Sequence, residues 1–313
     1  MADYSVQGTP PTLQQVPREC AGMRLDQALA RMFPEHSRTR LAGWLREGRI
    51  RLNATQAKAH QKVWGGETVQ LEAQPDVRDQ PPAAEAIRLN VVYEDEAVLV
   101  IDKPAGLVVH PGSGNWSGTL LNALLHHAPQ LAAVPRAGIV HRLDKDTSGL
   151  LVAAKTLEAQ TALVRQLQSR SVERVYLALV HGAVSKDGSV EAPVGRDPRV
   201  RTRMAVVSAG KPALTRYRVL QRFAQATLLE CSLATGRTHQ IRVHLHSIGH
   251  PLVGDPVYKS RRYGNLPVPF PRQALHAARL AFVHPLSKKR CEFRSELPLD
   301  MQRLLESLGG SAP

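Results

Sequence analysis

The sequence predicts an α+β protein in two parts, a small α+β module followed by a larger mixed α+β domain. Its 313 residues correspond to two domains at roughly 150 residues each. Residues 73–86 are rich in proline, alanine and charge and have no apolar periodicity, which is typical of a domain boundary. On both sides of this boundary, helical and strand-like spacings of apolar residues alternate. We therefore expect two compact units joined by a linker.

The composition argues against a disordered chain, a membrane-spanning chain and a disulfide-rich chain. Hydrophobic residues make up 43% and charged residues 22% of the sequence, which is the balance of a globular protein. No eighteen apolar residues run together, and the start of the chain lacks a basic segment followed by an apolar one, so neither a transmembrane helix nor a secretory signal is predicted. The cysteines, Cys20, Cys231 and Cys291, are far apart, and we expect a cytoplasmic protein with reduced thiols.

The positive charge indicates a polyanionic partner. The chain has 41 Lys and Arg against 27 Asp and Glu, a net charge of +14. Residues 81–313 carry 30 of the basic and 18 of the acidic residues, so that most of the excess lies in the larger part. A protein with this charge usually binds nucleic acid. Because aromatic residues are only 4% of the chain, we expect phosphate and shape contacts to provide most of the affinity.

The first part of the chain begins with a polar segment, residues 1–17, which we expect to be a mobile tail. Apolar residues then recur at helical spacing over residues 25–33, and Pro34 ends that helix. A second helix is expected to begin after Ser37, which can cap its first turn, and to end at Gly48.

Two short strand-like segments follow at residues 50–53 and 69–71, with Gly65 and Gly66 as the turn between them. The segment RLDQALARMFPEHSRTRLAGWLREGRIRLN resembles the small RNA-binding module named after the fourth small-subunit ribosomal protein. The resemblance covers residues 18 to about 72, and we place the module at 18–75. The candidate RNA contacts in it are Arg24, Arg38 and Arg40. Two of them fall in the first turn of the second helix, where a cation opposes the helix dipole, although a simple surface position remains an alternative.

The second part of the chain follows a linker at residues 76–88 and extends over residues 89–313. Strands are predicted at residues 91–93, 97–101, 175–180 and 227–233, and helices at residues 120–125 and 157–167. The result is a mixed α+β domain.

The segment GIVHRLDKDTSGLLVAAKT, residues 138–156, has a charged centre between two apolar arms. Such a centre costs stability unless its charges have partners or a function. Asp144 lies between Arg142 and Lys145, which would keep a carboxylate ionised even if partly buried. For Asp146 we favour a structural role, capping backbone N–H groups of the turn. The pattern alone leaves open whether Asp144 is catalytic.

The segment TGRTHQIRVHLHSIGHPLVGDPVY, residues 235–258, predicts a helix over residues 239–247, with Thr238 as its cap and Gly249 at its end. The expected buried stripe consists of Ile241, Leu245 and Ile248. Arg242 lies next to this stripe, so its stem would be buried and its guanidinium would need a carboxylate partner.

No cofactor is predicted. The segment contains four histidines, His239, His244, His246 and His250. The glutamate of a HExxH motif is missing and no cysteine is close, so we expect no metal site. Gly112 and Gly114 lack the rest of a dinucleotide fingerprint, and Gly210-Lys211 does not belong to a phosphate loop.

The segments HRLDKDTSGLLVAAKT and TGRTHQIRVHLHSIGHPLVGD together resemble the pseudouridine synthases of the RluA family. The resemblance covers residues 89 to about 300 and implies a mixed, largely antiparallel catalytic sheet. It makes Asp144 the catalytic aspartate and Arg242 its ion-pair partner. It also places Tyr176, in RVYLALVHG, against the target uracil and gives Arg142 a part in displacing the target base from its stack.

Further stretches resemble family members that act on large-subunit ribosomal RNA: VVHPGSGNWSGTLLNALLHHAP, VPRAGIVHRLDKDT, MAVVSAGKPALTRY and RQALHAARL. They imply a partner that is 23S ribosomal RNA or a large-subunit precursor particle, with target uridines clustered in the stem-loop that bridges the subunits. Arg201 and Arg203 in the basic loop 196–203 are further candidate RNA contacts. A synthase of transfer RNA or of another ribosomal site, and an assembly factor that only binds RNA, remain alternatives. We expect a monomer.

The residue types suit this chemistry. Isomerising uridine to pseudouridine breaks the N1–C1′ bond, turns the uracil and forms a C5–C1′ bond. A carboxylate can stabilise or trap the positive charge that develops on the sugar, as in glycoside hydrolysis. Uracil can leave as a delocalised anion, so a second carboxylate is less necessary. Reaching C1′ in structured RNA requires flipping the nucleotide out, at a cost on the order of a few kcal/mol. The sequence leaves open whether Asp144 attacks C1′, attacks C6 or acts as a base, and whether Tyr176 removes the C5 proton.

Overall fold

The computed structural model describes residues 11–73, 81–112, 114–200, 202–260, 263, 266 and 268–310. The chain divides into two compact units, Met1–Pro81 and Pro82–Pro313, which we call the N-terminal unit and the C-terminal unit. Within the described ranges, no helix is both long enough and apolar enough to cross a membrane.

The N-terminal unit packs two helices against a four-stranded antiparallel sheet. Its elements are β1 (Thr12–Gln15), α1 (Leu25–Met32), α2 (Arg38–Arg46), β2 (Ile50–Leu52), β3 (Thr55–Gln56) and β4 (Thr68–Leu71). The strand order is β1-β4-β2-β3. Buried apolar side chains of the two helices, such as Leu25, Leu29 and Leu41, meet Ile50 and Val69 of the sheet in one core. Burying each such side chain stabilises the fold by about 1.5–3 kcal/mol.

The start of this unit differs from the expected tail at residues 1–17. Strand β1 pairs along its whole length with β4, and the Val16 N–H donates to Glu67 O at 2.8 Å while the Val16 side chain is buried. The side chains of β1 are all exposed, and backbone hydrogen bonds hold it at the edge of the sheet. Its polar sequence therefore gave no sign of a strand. Residues 1–10 lie outside the described residues. The cap of α2 is as predicted, since Ser37 Oγ accepts from the Arg40 N–H at 3.3 Å.

A nine-stranded sheet forms the centre of the C-terminal unit. In chain order the strands of the unit are β5 (Val91–Glu94), β6 (Val98–Lys103), β7 (Ser148–Ala154), β8 (Glu173–His181), β9 (Gly188–Glu191), β10 (Val194–Arg196), β11 (Met204–Val206), β12 (Leu214–Arg222), β13 (Ala226–Leu233), β14 (Leu275–Val283) and β15 (Arg290–Arg294). Strands β10 and β11 form a separate hairpin; the sheet has the order β5-β6-β7-β14-β8-β13-β12-β9, with β15 paired to β14. Only the β7–β14 pair is parallel among the described pairs, so the predicted mixed, largely antiparallel sheet is confirmed.

Helices cover both faces of this sheet. They are α3 (Leu120–His127), α4 (Leu157–Gln168), α5 (Gln240–Ser247) and α6 (Leu299–Ser307). Successive side chains of a strand point to opposite faces. Accordingly, Leu99 and Ile101 of β6 pack with α3 and α5, whereas Val98 and Val100 pack with α4. Tyr176 of β8 belongs to the layer of α3 and α5, and this face carries the candidate site.

The predicted linker at residues 76–88 is not a free segment over its second half. The Glu85 N–H donates to Asn122 O at 3.0 Å, and the Glu85 carboxylate accepts from the Gly118 N–H at 3.0 Å. Asn122 also donates to Ala83 O at 2.8 Å. These contacts attach the segment to the start of α3, so it belongs to the C-terminal unit. The part of the linker at residues 76–80 lies outside the described residues.

Candidate active site

Asp144 lies in the loop that precedes β7, and this loop is anchored to the segment after β6. The carbonyl of Lys145 accepts hydrogen bonds from the Gly106 N–H and from Lys103 Nζ, both at 2.9 Å. The side chain of Asp144 is 17% exposed. The Asp144 carboxylate is therefore accessible to a substrate, while the backbone of the next residue, Lys145, is held in place.

Lys103 is a structural component of this loop to which the sequence analysis had assigned no role. It is fully buried, and its ammonium donates to the carbonyls of Pro104, Leu107 and Lys145 at 2.7, 3.0 and 2.9 Å. Three acceptors match the three N–H donors of an ammonium group. Burial lowers the pKa of Lys103 to about 7, although nearby carboxylates oppose that shift. The loop is therefore held by a group that can lose its charge near neutral pH.

Arg242 of α5 links two carboxylates. Its Nη1 donates to Asp144 Oδ2 at 3.0 Å, so the expected pair is present. Its Nε and Nη2 donate to the two oxygens of Asp255 at 2.7 and 2.9 Å. Burial alone would raise the pKa of Asp255, but the contacts with Arg242 outweigh it and hold that pKa below its usual range. The sequence predicted that Arg242 needs a carboxylate partner, but it did not show that Asp255 is a second one.

Two details of α5 differ from the prediction. Its N-cap is His239 in the left-handed region, at φ 56°, and Thr238 does not cap it. Instead, the side chain of Gln240 accepts a backbone N–H of the preceding turn at 3.0 Å. The buried stripe also ends at Leu245, because Ile248 is 39% exposed. The sharp turn before α5 directs His239 towards the site.

His239 is a site residue that sequence reasoning considered only as a zinc ligand. Its Nε2 lies 3.9 Å from Asp144 Oδ1, and its Nδ1 lies 2.9 Å from the Tyr258 hydroxyl. Burial lowers the pKa of His239 more than the adjacent Asp144 raises it, so a neutral imidazole faces the carboxylate at neutral pH. The ring of Tyr258 in turn lies 5.1 Å from the Arg242 guanidinium carbon.

Tyr176 and Arg142 line the same cavity as Asp144, which has a volume of about 1170 Å³. Tyr176 is 6% exposed, and burial raises the pKa of its phenol. Arg142 is exposed at the edge of the cavity. Further cations that line it are Arg136, Arg170, Arg174 and Arg237. Cations around a concave site concentrate anionic substrates there.

Arg24 and Arg38, two candidate RNA contacts of the N-terminal unit, are exposed but share an acidic partner. Arg24 and Arg38 both bind Asp26, at 3.0 and 3.4 Å, and their side chains remain 53% and 62% exposed. Arg40 lies 5.8 Å from the ring centroid of Trp44. Their contact with RNA stays a prediction.

Of the two arginines predicted in the basic loop, Arg201 lies outside the described residues. The guanidinium carbon of Arg203 lies 5.3 Å from the ring centroid of Tyr258. The Tyr258 hydroxyl accepts from the Met204 N–H at 3.0 Å. The basic hairpin of β10 and β11 is therefore attached to the aromatic ring that contacts Arg242.

The arrangement places the partly exposed Asp144 carboxylate in a cationic cavity, with a guanidinium fixed beside it. A carboxylate so placed can act as a nucleophile or stabilise a positive charge. Within the described residues, no group of three or more His, Cys, Asp or Glu side chains is placed to hold a metal ion.

Comparison with known proteins shows the family of the chain. Residues 97–247 match the family described as RNA pseudouridylate synthase, and residues 23–69 match the S4 domain. A protein of Nitrosomonas europaea named ribosomal large subunit pseudouridine synthase D is 59% identical over 94% of this chain and 86% of its own length. A protein of the same name from Pseudomonas aeruginosa is 53% identical over 94% of both chains.

Two solved structures of human proteins have a similar fold. Human RNA pseudouridylate synthase domain containing 1 has a TM-score of 0.55 at 28% identity and covers 69% of this chain and 85% of its own. Human RNA pseudouridylate synthase domain containing 4 has a TM-score of 0.55 at 25% identity, over 70% of this chain and 93% of its own. The family match and the named relatives together define the chain as an RNA-modifying isomerase. The chain belongs to the RNA pseudouridylate synthase family and carries an S4 domain at its N-terminal end.

Proposed function

We propose that this pseudouridine synthase isomerises uridines of large-subunit, 23S ribosomal RNA, with Asp144 as the nucleophile. The names of relatives at 59% and 53% identity over most of both chains support the substrate. The observation that carries the assignment of Asp144 is its 3.0 Å hydrogen bond to Arg242, whose guanidinium is itself fixed by Asp255. We further propose, from the similarity of the sequence segments, that the target uridines cluster in the stem-loop that bridges the two subunits.

In this mechanism the target nucleotide is flipped into the cavity, where Arg142 at the edge helps to displace the base from its stack. The Asp144 carboxylate then traps or stabilises the sugar as the N1–C1′ bond breaks. The Tyr176 ring and the apolar wall retain the detached uracil while it turns. Arg242 keeps Asp144 oriented, so that no reorganisation is needed at the moment of reaction.

The two units divide the work. The N-terminal unit, with its S4 domain, contributes RNA recognition, for which Arg24, Arg38 and Arg40 are the candidate contacts, and the C-terminal unit contributes chemistry. Because every proposed active-site residue comes from the C-terminal unit of one chain, a monomer suffices for the reaction.

Mapping pseudouridines in all ribosomal and transfer RNA tests the substrate. A strain without the gene is complemented with the wild-type protein or with Asp144→Ala. We expect a small cluster of pseudouridines to disappear from 23S RNA in the deletion strain and to return only with the wild type. Loss confined to transfer RNA would exclude the ribosomal assignment. A growth or assembly defect that Asp144→Ala repairs fully would show an additional role that depends on RNA binding alone.

A further inference from the structure

Arg174 is a buried cation for which the described residues provide no counter-ion. Three arginines are classed as buried among the described residues, Arg174 at 8%, Arg242 at 4% and Arg272 at 7% exposure. Arg242 and Arg272 each bind a carboxylate at 2.7 Å, that of Asp255 and that of Asp300. The Nε of Arg174 is buried with no hydrogen-bond partner in the described part of the chain, and no carboxylate there lies within ion-pair distance of its guanidinium.

An unpaired buried guanidinium is unfavourable for folding. Removing a cation from water without a partner is costly, and breaking a buried ion pair is strongly destabilising for the same reason. An apolar side chain of similar length at position 174 would avoid that cost. A ligand that brings negative charge to this point would offset it, so the chemistry of the cavity is the place to look for the missing partner.

The position of Arg174 places it beside the proposed uracil site. It precedes Tyr176 by two residues on β8, and side chains two apart on a strand point to the same face. Both residues line the cavity that contains Asp144. The positive charge of Arg174 also acts on its neighbours, since it lowers the pKa of the Tyr176 phenol, although burial outweighs that effect.

The turn before α5 leaves room for this guanidinium. A Cβ atom at Gly236 would lie 2.6 Å from Arg174 Nη1, which is closer than real Cβ contacts allow. Any side chain at position 236 would therefore displace the guanidinium. Gly236 has no Cβ, and no carboxylate of the described residues pairs with Arg174, so a cationic donor stays available inside the cavity.

We propose that the Arg174 guanidinium donates to a carbonyl oxygen of the flipped uracil and stabilises the negative charge of the ring when the glycosidic bond breaks. This inference deepens the proposed function and rests on it. A group that is only 8% exposed is reached by the part of the nucleotide that enters deepest, which is the base, whereas the phosphates stay nearer the exposed arginines at the edge of the cavity.

The step balances without a further reactant. The N1–C1′ bond breaks and its electron pair stays on the uracil, delocalised over N1 and the two carbonyl oxygens. Asp144 compensates the positive charge at the sugar while Arg174 compensates the negative charge at the base. The uracil turns, C5 bonds to C1′, the C5 proton leaves and N1 takes up a proton. Arg174 exchanges no atom, and acts as donors of an oxyanion hole do.

The first test compares Arg174→Met with wild type on the same RNA. We expect kcat to fall about 100- to 1000-fold, as for the loss of one oxyanion-hole donor, while the Kd for RNA stays within about threefold. The melting temperature should not fall, because an unpaired buried charge is removed. Arg174→Lys keeps the charge but not the planar guanidinium, so its kcat should lie between that of Arg174→Met and that of the wild type. Arg303→Met, on the exposed side of α6, is the matched control and should change neither quantity.

The second test varies the leaving group. A fluorine at C5 withdraws electrons and stabilises the uracil anion without help from the protein. Consumption of a 5-fluorouridine target should therefore be slowed by Arg174→Met at least tenfold less than consumption of uridine. Gly236→Ala should slow the wild type, and should add no further loss in the Arg174→Met background because the two changes remove the same interaction.

Several results would overturn the inference. A weaker Kd and a shallower salt dependence with kcat unchanged would assign Arg174 to a backbone phosphate. A lower melting temperature with equal losses on uridine and 5-fluorouridine would make it structural. Asp144→Ala, measured in parallel, separates this from the underlying proposal: isomerisation by that variant would refute the nucleophile, whereas an undiminished kcat of Arg174→Met would refute only the role of Arg174.

Discussion

Asp255 fixes Arg242 through two hydrogen bonds, of 2.7 and 2.9 Å, while Nη1 of the same guanidinium donates to Asp144 at 3.0 Å. The side chain of Asp255 has no exposed area, so it meets no substrate. It acts through Arg242, and is therefore a positioning residue. The carboxylate that we propose as the nucleophile therefore has its orientation fixed before RNA binds, which is how such sites lower the entropy cost of reaction.

Removing Asp255 should impair both folding and turnover. Asp255→Ala leaves a buried guanidinium with one partner fewer, and we expect the free energy of unfolding to fall by about 3–5 kcal/mol. Denaturant titration measures this loss. Asp300→Ala is the matched control: it also removes a carboxylate from a buried arginine, Arg272, but Asp300 is 43% exposed and water can replace it, so its loss should be clearly smaller. Equal losses in the two variants would contradict the importance of burial at Asp255.

Lys103 should give the protein a specific dependence of stability on pH. Its pKa is lowered from 10.5 to about 7 on folding. Between about pH 7 and pH 10.5, Lys103 is therefore protonated in the unfolded chain and neutral in the folded protein. The contribution of Lys103 to the free energy of unfolding is therefore present above pH 10.5 and is lost as pH falls through about 7. The measurement is denaturant unfolding of wild type and Lys103→Met across this range. The wild type should gain stability relative to the variant as pH rises, and a constant difference would disprove the shift.

Gly149 should tolerate no side chain. It has φ +110°, and a Cβ there would lie 2.3 Å from Ala277 O in the parallel β7–β14 pair. Gly149→Ala should therefore destabilise the fold by more than the roughly 1–2 kcal/mol that a left-handed backbone alone costs. Gly249→Ala is the control, because Gly249 has φ +89° but open space around it. Thermal unfolding compares them, and equal changes in melting temperature would show that the close approach is unimportant.

Deleting residues 1–75 should weaken RNA binding without loss of the Asp144 cavity. The N-terminal unit has its own core, and the proposed chemistry lies in the other unit. We expect a higher Kd for ribosomal RNA and a smaller dependence of that Kd on salt, because phosphate contacts are lost. Filter binding at several salt concentrations measures both. Hydrogen exchange checks the fold, and loss of protection in β7 or α5 would contradict the division of labour.

The sequence predicted those elements whose pattern is local. Both helices of the N-terminal unit and the capping role of Ser37 follow from apolar spacing and cap chemistry, and the structure confirms them. Strand β1 was missed because its stability comes from pairing with β4, more than fifty residues away, and its exposed side chains carry no apolar alternation.

The candidate site was predicted by resemblance more than by pattern. Spacing alone could not show that Arg242 meets Asp144, since 98 positions separate them. Asp255 and Lys103 were missed because a motif does not show which of its charged residues become buried. His239 lies in the site because its backbone adopts a left-handed conformation, and apolar periodicity does not predict such a conformation.

The most direct test of the central claim is a single-turnover reaction on ribosomal RNA that carries tritium at C5 of uridine. Forming the C5–C1′ bond displaces that hydrogen, so its release into water reports isomerisation. Wild type and the control Glu158→Gln, an exposed carboxylate on α4, should release tritium at equal rates. Asp144→Ala should release none while binding the RNA with a Kd within about threefold of wild type. Release by Asp144→Ala at a rate near that of the wild type would contradict the assignment of Asp144 as the nucleophile.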